Sequence, residues 1–134
     1  PVVHAHLVAQ GILPELYCQK YFCALAVHVL PFEALVELWA RFTEQGFRAL
    51  FGFALSVVKH LRERLLAVSD QGSLLALLRL DPAKVQQDVC GLIVHDVTDW
   101  KLEEFDFASE RAGAFAQNLK GRLERANAAH AEVE

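Results

Sequence analysis

Residues 31–58 read PFEALVELWARFTEQGFRALFGFALSVV, and this stretch predicts two long helices in succession. Pro31 suits the first position of a helix, where its missing N–H is not needed, and Gly46 suits the turn that ends one. The apolar residues of the first helix recur at helical spacing on one face, and they are Leu35, Leu38, Trp39 and Phe42.

The second helix, over residues 47–58, has apolar side chains around its whole circumference. Such a helix is expected at the centre of a fold, covered on several sides. We therefore predict a core centred on this helix, with four large side chains from the two helices as its anchors: Trp39, Phe42, Phe51 and Leu55.

Outward from this pair, apolar runs of about one helix length alternate with turn residues, and none alternates like a strand for long. The pattern predicts an all-α bundle or array of about six or seven helices. The predicted segments are 2–10, 15–29, 31–45, 47–58 with a continuation through a solvated turn at residues 62–64 to Leu66, 74–80, 83–96 and 101–128. We expect one domain over 1–134, divided into 1–80 and additional C-terminal helices over 81–134.

The last predicted helix carries a narrow apolar seam with charged residues on either side. The seam residues include Phe105, Phe115, Leu119 and Leu123. A seam of this kind has to pack on something, and two arrangements stay open. The helix folds back across the earlier helices, or it binds a helix of another chain.

Composition excludes some classes of function. The 134 residues are 54% hydrophobic and carry a net charge of −4, with the basic residues scattered among acids, so no nucleic-acid surface is predicted. The longest uncharged stretches are too short to span a bilayer. The three cysteines lie in apolar runs and suit free thiols in a reducing cytosol. The chain contains no methionine and begins in apolar sequence, so we expect an upstream segment to be missing.

No cofactor, metal site or catalytic residue is predicted. His4 and His6 point to different sides of a helix, and no cysteine–histidine pair has the paired spacing of a structural zinc site. No local signature of a nucleophile surrounds any cysteine. All seven glycines are isolated, so no phosphate-binding loop is present in the sequence.

A succession of short motifs resembles the second half of a TBC domain, the module of Rab GTPase-activating proteins. The resemblance covers about residues 4–78. The matching positions are His6-Leu7, Gly11-Ile12, Tyr17, Leu30-Pro31, Leu38-Trp39, Gly46, Leu50-Phe51 and Ala54-Leu55. It implies an all-helical fold and a role in accelerating GTP hydrolysis by Rab GTPases. Tyr21 departs from the family, which typically has tryptophan there.

The family's two catalytic fingers are an arginine and a glutamine from its N-terminal half. The arginine neutralises charge on the transferred phosphoryl group, and the glutamine orients the attacking water. The nearest approach to the arginine pattern begins at Ile93 and ends at Asp99, without an arginine. Gln19 follows a tyrosine by two residues, as in the glutamine pattern, but Leu16 and Lys20 stand where that pattern has glycines. We interpret Gln19 as an ordinary helical position.

The resemblance implies that this chain is the structural and partner-docking half of a Rab GTPase activator and does not stimulate GTP hydrolysis itself. Its partner would be a Rab-type small GTPase, bound through the complete protein. A cytoplasmic location follows, with peripheral association with endomembranes left open. The alternative is a non-catalytic helical scaffold that binds a partner helix through the seam.

Overall fold

The computed structural model describes residues 1–131, without the side chains of Ala126 and residues 128–131. Over those residues the chain is all-α, with no β-strand, which confirms the predicted fold class. The last three residues of the predicted domain, 132–134, lie outside the described residues. Contacts divide the chain into two compact units, Pro1–Leu102 and Glu103–Glu134.

The first unit contains seven α-helices in sequence. They are α1 (Val2–Ala9), α2 (Glu15–Phe22), α3 (Phe32–Gln45), α4 (Phe47–His60), α5 (Arg62–Leu66), α6 (Gln71–Leu78) and α7 (Gln87–His95). A 3-10 turn, Asp96–Asp99, follows α7, and a second one spans Leu102–Glu104. The helix predicted from residue 47 onward is divided at Leu61 into α4 and α5.

From residue 107 to residue 131 the second unit is a continuous run of helical residues with a change of pitch in the middle. It contains α8 (Phe107–Ala114), the π-helical segment Phe115–Lys120, and α9 (Gly121–Ala131). Asp106 caps the N-terminus of α8, and its carboxylate accepts the N–H of Ser109 at 3.0 Å. This capping starts the helix at residue 107 and not at 101 as the periodicity predicted.

Local chemistry explains the α3–α4 hairpin. Pro31 is extended, with φ −63° and ψ 154°, and stands immediately before the first residue of α3. Gly46 has φ +61°, a backbone conformation that glycine adopts without a steric penalty, and its N–H closes α3 on the carbonyl of Phe42 at 2.7 Å. The two helices predicted from residues 31–58 are therefore confirmed almost to the residue.

Two predicted helices are shorter in the structure. α2 ends at Phe22 and not at residue 29, because Leu25 and Ala26 adopt φ of 47° and 61° and turn the chain. No glycine or proline in that segment signals the turn. Similarly, residues 82–85 form a turn before α7, because the Asp81 carbonyl accepts the N–H groups of Lys84 and Val85 at 2.8 Å.

A single apolar core fills the first unit, and α4 lies at its centre. This helix contacts α2, α3, α5, α7 and the 3-10 turn Asp96–Asp99, so it is central to the first unit as predicted, although one of its sides is not covered. Tyr21 stacks edge-on against Phe53 at 4.9 Å between ring centres, and both side chains are fully buried. The largest buried side chains around them include Leu38, Leu50, Leu61, Leu65, Leu74, Leu78 and Ile93. Each contributes about 1.5–3 kcal/mol through burial.

A close approach between α4 and the 3-10 turn after α7 depends on Gly52. A Cβ atom at this position would lie 2.5 Å from the carbonyl oxygen of Val97 and 3.2 Å from its Cγ1. Only a residue without a side chain lets α4 come so close to the backbone of the 3-10 turn. The contact is a direct consequence of one glycine in an otherwise bulky helix.

The predicted core anchors need correction. Trp39, Phe51 and Leu55 are 38%, 38% and 40% exposed, so the prediction that they are buried is wrong. Phe42 is partly buried and packs against the core. The physical reason is that α4 is covered on one broad side only, which buries Leu50, Phe53 and Val57 and leaves the other apolar side open.

Candidate interaction surface

The open side of α4 is a row of apolar side chains one helical turn apart. Phe47, Phe51 and Leu55 follow one another at intervals of four residues and are 57%, 38% and 40% exposed. Residues at that spacing lie on the same helix face, one above the other. They form a continuous ridge along the length of α4.

Aromatic contacts hold this ridge in place. The rings of Phe42 and Phe47 meet edge-on at 5.9 Å, and those of Phe22 and Phe51 meet edge-on at 4.8 Å. Such pairs are worth about 0.5–1.5 kcal/mol beyond the area they bury. The exposed rings of Phe47 and Phe51 are therefore oriented before anything binds to them.

The surface continues from α4 onto α3. Trp39 lies one turn before Phe42, and its indole N–H donates to the carbonyl of Leu25 at 3.0 Å. Further along the same face, Val36 and Phe32 are 48% and 77% exposed. We call these exposed side chains the aromatic surface: Phe32, Val36, Trp39, Phe47, Phe51 and Leu55. Exposed apolar side chains clustered in this way are typical of sites where a protein contacts another structure.

The predicted seam residues lie in the second unit and do not belong to the aromatic surface. Phe105, Phe115, Leu119 and Leu123 are each about half exposed, and Phe105 precedes α8, where its ring stacks on Phe107 at 4.8 Å. Phe115 and Leu119 lie in the π-helical segment, and Leu123 lies in α9. Whether the seam binds a partner stays a prediction.

A polar cluster that the sequence did not reveal joins α4 to the end of α7. One oxygen of Asp96 accepts from His60 Nε2 at 2.8 Å and Lys59 Nζ at 3.2 Å, and the other meets His95 Nδ1 at 3.2 Å. These hydrogen bonds, that of His60 first, lower the pKa of Asp96 from 3.8 to about 2. Both carboxylate oxygens of Asp96 have hydrogen-bond partners, so we assign this cluster a structural role and call it the Asp96 clamp.

A second polar contact reinforces that clamp. The indole N–H of Trp100 donates to the hydroxyl of Ser56 at 2.9 Å, and Ser56 is the buried polar residue of the core. Together with Gly52, these contacts fasten the segment after α7 along one side of α4. Loss of this partner would leave a buried hydroxyl without its hydrogen bond and lower the free energy of unfolding by about 1–3 kcal/mol.

Gln19 has the surroundings of an ordinary surface position. It lies on α2 with its side chain exposed, beside an open cavity of about 480 Å³ that is lined by Glu15, Cys18, Gln19 and Phe22. Burial raises the pKa of the Cys18 thiol to about 11 and that of Tyr17 to about 12. Both groups are therefore mainly protonated at neutral pH.

Two structural findings concern the side chains and the helix lengths of residues 1–131. No group of three or more histidine, cysteine or acidic side chains is placed there to hold a metal ion. No helix in the described part of the chain combines the length and the apolar character needed to cross a bilayer.

The sequence of this chain is similar to those of several TBC-domain proteins. The mouse protein "TBC1 domain family member 10A" is 28% identical over 129 residues, which are 92% of this chain and 25% of that protein. Mouse "TBC1 domain family member 10B" is 28% identical over 115 residues, 84% of this chain and 14% of that protein. Mouse "Carabin" is 29% identical over 102 residues, 73% of this chain and 23% of that protein.

These relatives confirm the resemblance to a portion of a TBC domain that the short motifs indicated. The chain spans a quarter or less of the length of each of these three relatives. No family model matches the chain, and no solved structure matches it.

Proposed function

We propose that this chain is the structural and partner-docking half of a Rab GTPase-activating protein, and that it does not stimulate GTP hydrolysis by itself. The observation that carries the proposal is the aromatic surface on α3 and α4. Ring contacts hold Phe47 and Phe51 in place, and the six side chains of the surface are 38% to 77% exposed.

The occupant we propose for the aromatic surface is the catalytic half of the same TBC domain. The surface is apolar and rigid, which is typical of an interface that is permanently covered, whereas a transient docking site is more polar. The relatives are at least about four times as long as the matched region, so a complete protein of that kind has ample chain to provide a cover.

The chemistry of GTPase activation is consistent with a TBC domain divided into this structural half and a separate catalytic half. An arginine and a water-orienting glutamine are the groups that accelerate phosphoryl transfer. The sequence lacks the arginine pattern, and Gln19 lacks the flanking glycines of the glutamine pattern. The fingers would come from the covering half, and the Rab GTPase would bind the assembled domain. The proposal implies a cytoplasmic protein that meets its Rab at endomembranes.

The test is to express this chain together with the rest of its parent protein as a separate polypeptide and to measure their association. We expect Phe51→Asp to abolish co-purification, because a charge in the middle of the apolar interface is desolvated without a partner. Val8→Asp is the matched control, since Val8 is an apolar side chain of similar exposure, 43%, on α1. Equal binding by both variants would contradict the proposed interface.

The catalytic part of the proposal has its own assay. GTP-loaded Rab proteins should hydrolyse GTP at their intrinsic rate in the presence of the 134-residue chain alone. Acceleration of any Rab by the isolated chain would rule out a purely structural role.

The exposed seam favours a second candidate, a scaffold that binds a partner helix. Phe105, Phe115, Leu119 and Leu123 are 48% to 50% exposed and could enter a helical groove or pair with a helix. If association with the rest of the parent protein survives Phe51→Asp and is lost with Phe115→Asp, the scaffold is the better description.

A further inference from the structure

Taken by itself, the second unit is a helical segment without a core of its own among its described residues. Every described residue from 108 to 125 is exposed, although the run is helical throughout. A single helix of this length is marginally stable in water and depends on packing of an apolar face. The seam on this helix therefore needs a cover, and the distribution of its residues indicates which one.

Residue size along the seam is uneven. Between Phe105 and Phe115 the seam has the small side chains of Ala108 and Ala112, and from Phe115 onward it has the large side chains of Phe115, Leu119 and Leu123. Well-packed interfaces place a large side chain opposite a small one. Two copies of this helix satisfy that rule when they run in opposite directions, since parallel copies would place large against large and small against small.

Charge along the same helix is also uneven. Residues 103–111 contain four acids and one base, Glu103, Glu104, Asp106, Glu110 and Arg111. Residues 120–125 contain three bases and one acid, Lys120, Arg122, Glu124 and Arg125. An antiparallel pair brings the acidic end of one copy beside the basic end of the other, and it also sets the two helix dipoles head to tail.

We propose that the second unit pairs with the same segment of a second copy of this chain as an antiparallel two-helix contact centred between Phe115 and Ala116. In this register Ala112 faces the partner's Leu119, and Ala108 faces the partner's Leu123. Asp106 lies level with the partner's Arg125. Side-chain size and charge are independent features of the sequence, and both select a second copy in the antiparallel direction.

The first experiment measures the mass of the chain in solution as a function of concentration by sedimentation equilibrium. The wild-type chain should approach twice its 15.0 kDa mass. Phe115→Asp should weaken self-association by about 30-fold or more, the usual effect of removing a central anchor. Gln117→Asp is the control, because it adds the same charge two residues away on another side of the helix and should leave the dimer intact.

A second variant tests the charges without touching the seam, in case Phe115→Asp unfolds the helix. The combined change Lys120→Glu, Arg122→Glu and Arg125→Glu makes both ends acidic. It should weaken the dimer at low salt and regain much of the affinity at high salt, where the repulsion is screened. Helix content by circular dichroism shows that each variant remains folded.

The third experiment tests whether the two paired helices run antiparallel. Two variants, Ala112→Cys and Leu119→Cys, are oxidised separately and as a mixture, and the linked peptides are identified by mass spectrometry. The antiparallel pair predicts a link between the two introduced thiols in the mixture and none from either variant to itself. A monomeric wild-type chain, a dimer insensitive to Phe115→Asp and the charge reversal, or links between identical positions would each overturn the proposal.

Discussion

Replacing Gly52 with alanine tests the packing of α4 against the segment that follows α7. The new Cβ would lie 2.5 Å from the Val97 carbonyl oxygen, whereas real Cβ atoms essentially never come within 3.0 Å of another atom. The backbone must therefore move by at least about 0.5 Å, the difference between these two distances. Overpacking of this kind costs about 3 kcal/mol, and alanine returns about 1 kcal/mol through its higher helix propensity. We therefore expect Gly52→Ala to lower the free energy of unfolding by about 2 kcal/mol.

Gly91→Ala is the matched control. Gly91 lies inside α7, and a Cβ there meets nothing within 4 Å, so only the propensity effect remains. We expect Gly91→Ala to raise the free energy of unfolding by about 0.5–1 kcal/mol. Urea denaturation of both variants should therefore show shifts of opposite sign, and thermal melts should separate them by about 10 °C or more for a domain of this size. If Gly52→Ala is as stable as the wild type, the close approach of α4 to Val97 is not present in solution.

Two further predictions concern polar contacts of the first unit. Tyr21→Phe should lower the free energy of unfolding by about 1–2 kcal/mol, because the fully buried Tyr21 hydroxyl donates to the carbonyl of Leu78; an unchanged denaturation midpoint would argue against that bond. The pKa of Asp96 is about 2 in the folded chain against 3.8 in its ordinary state, so its stabilising contribution is present above pH 3.8 and is lost as the pH falls towards 2. The stability difference between wild type and Asp96→Asn should therefore shrink over that window in denaturant melts, and a constant difference would contradict the clamp.

The sequence was informative where local chemistry determines the backbone. Pro31 and Gly46 delimit α3 because each imposes a backbone conformation that a helix end requires. The turn after α2 was missed because Leu25 and Ala26 take the left-handed conformation without a residue that signals it. Such a turn is imposed by tertiary contacts, here including the hydrogen bond from Trp39 to Leu25, which no local pattern records.

The candidate site was predicted less well, for a related reason. Periodicity identifies which side chains of α4 are apolar, but it does not say which of two apolar faces the rest of the chain covers. Phe51 and Leu55 were therefore placed in the core, while Phe53 and Val57 occupy it. The Asp96 clamp was invisible because His60 and Asp96 are 36 residues apart, and neither is unusual in its own neighbourhood.

The open rings of Phe32 and Phe47 also bear on the lifetime of this chain in a cell. Quality-control machinery continuously removes proteins that leave apolar side chains uncovered. A copy whose aromatic surface is uncovered is therefore expected to be degraded sooner than a copy whose aromatic surface is covered. If the cover is the other half of the same domain, as proposed, a product that lacks that other half would accumulate less than the complete protein.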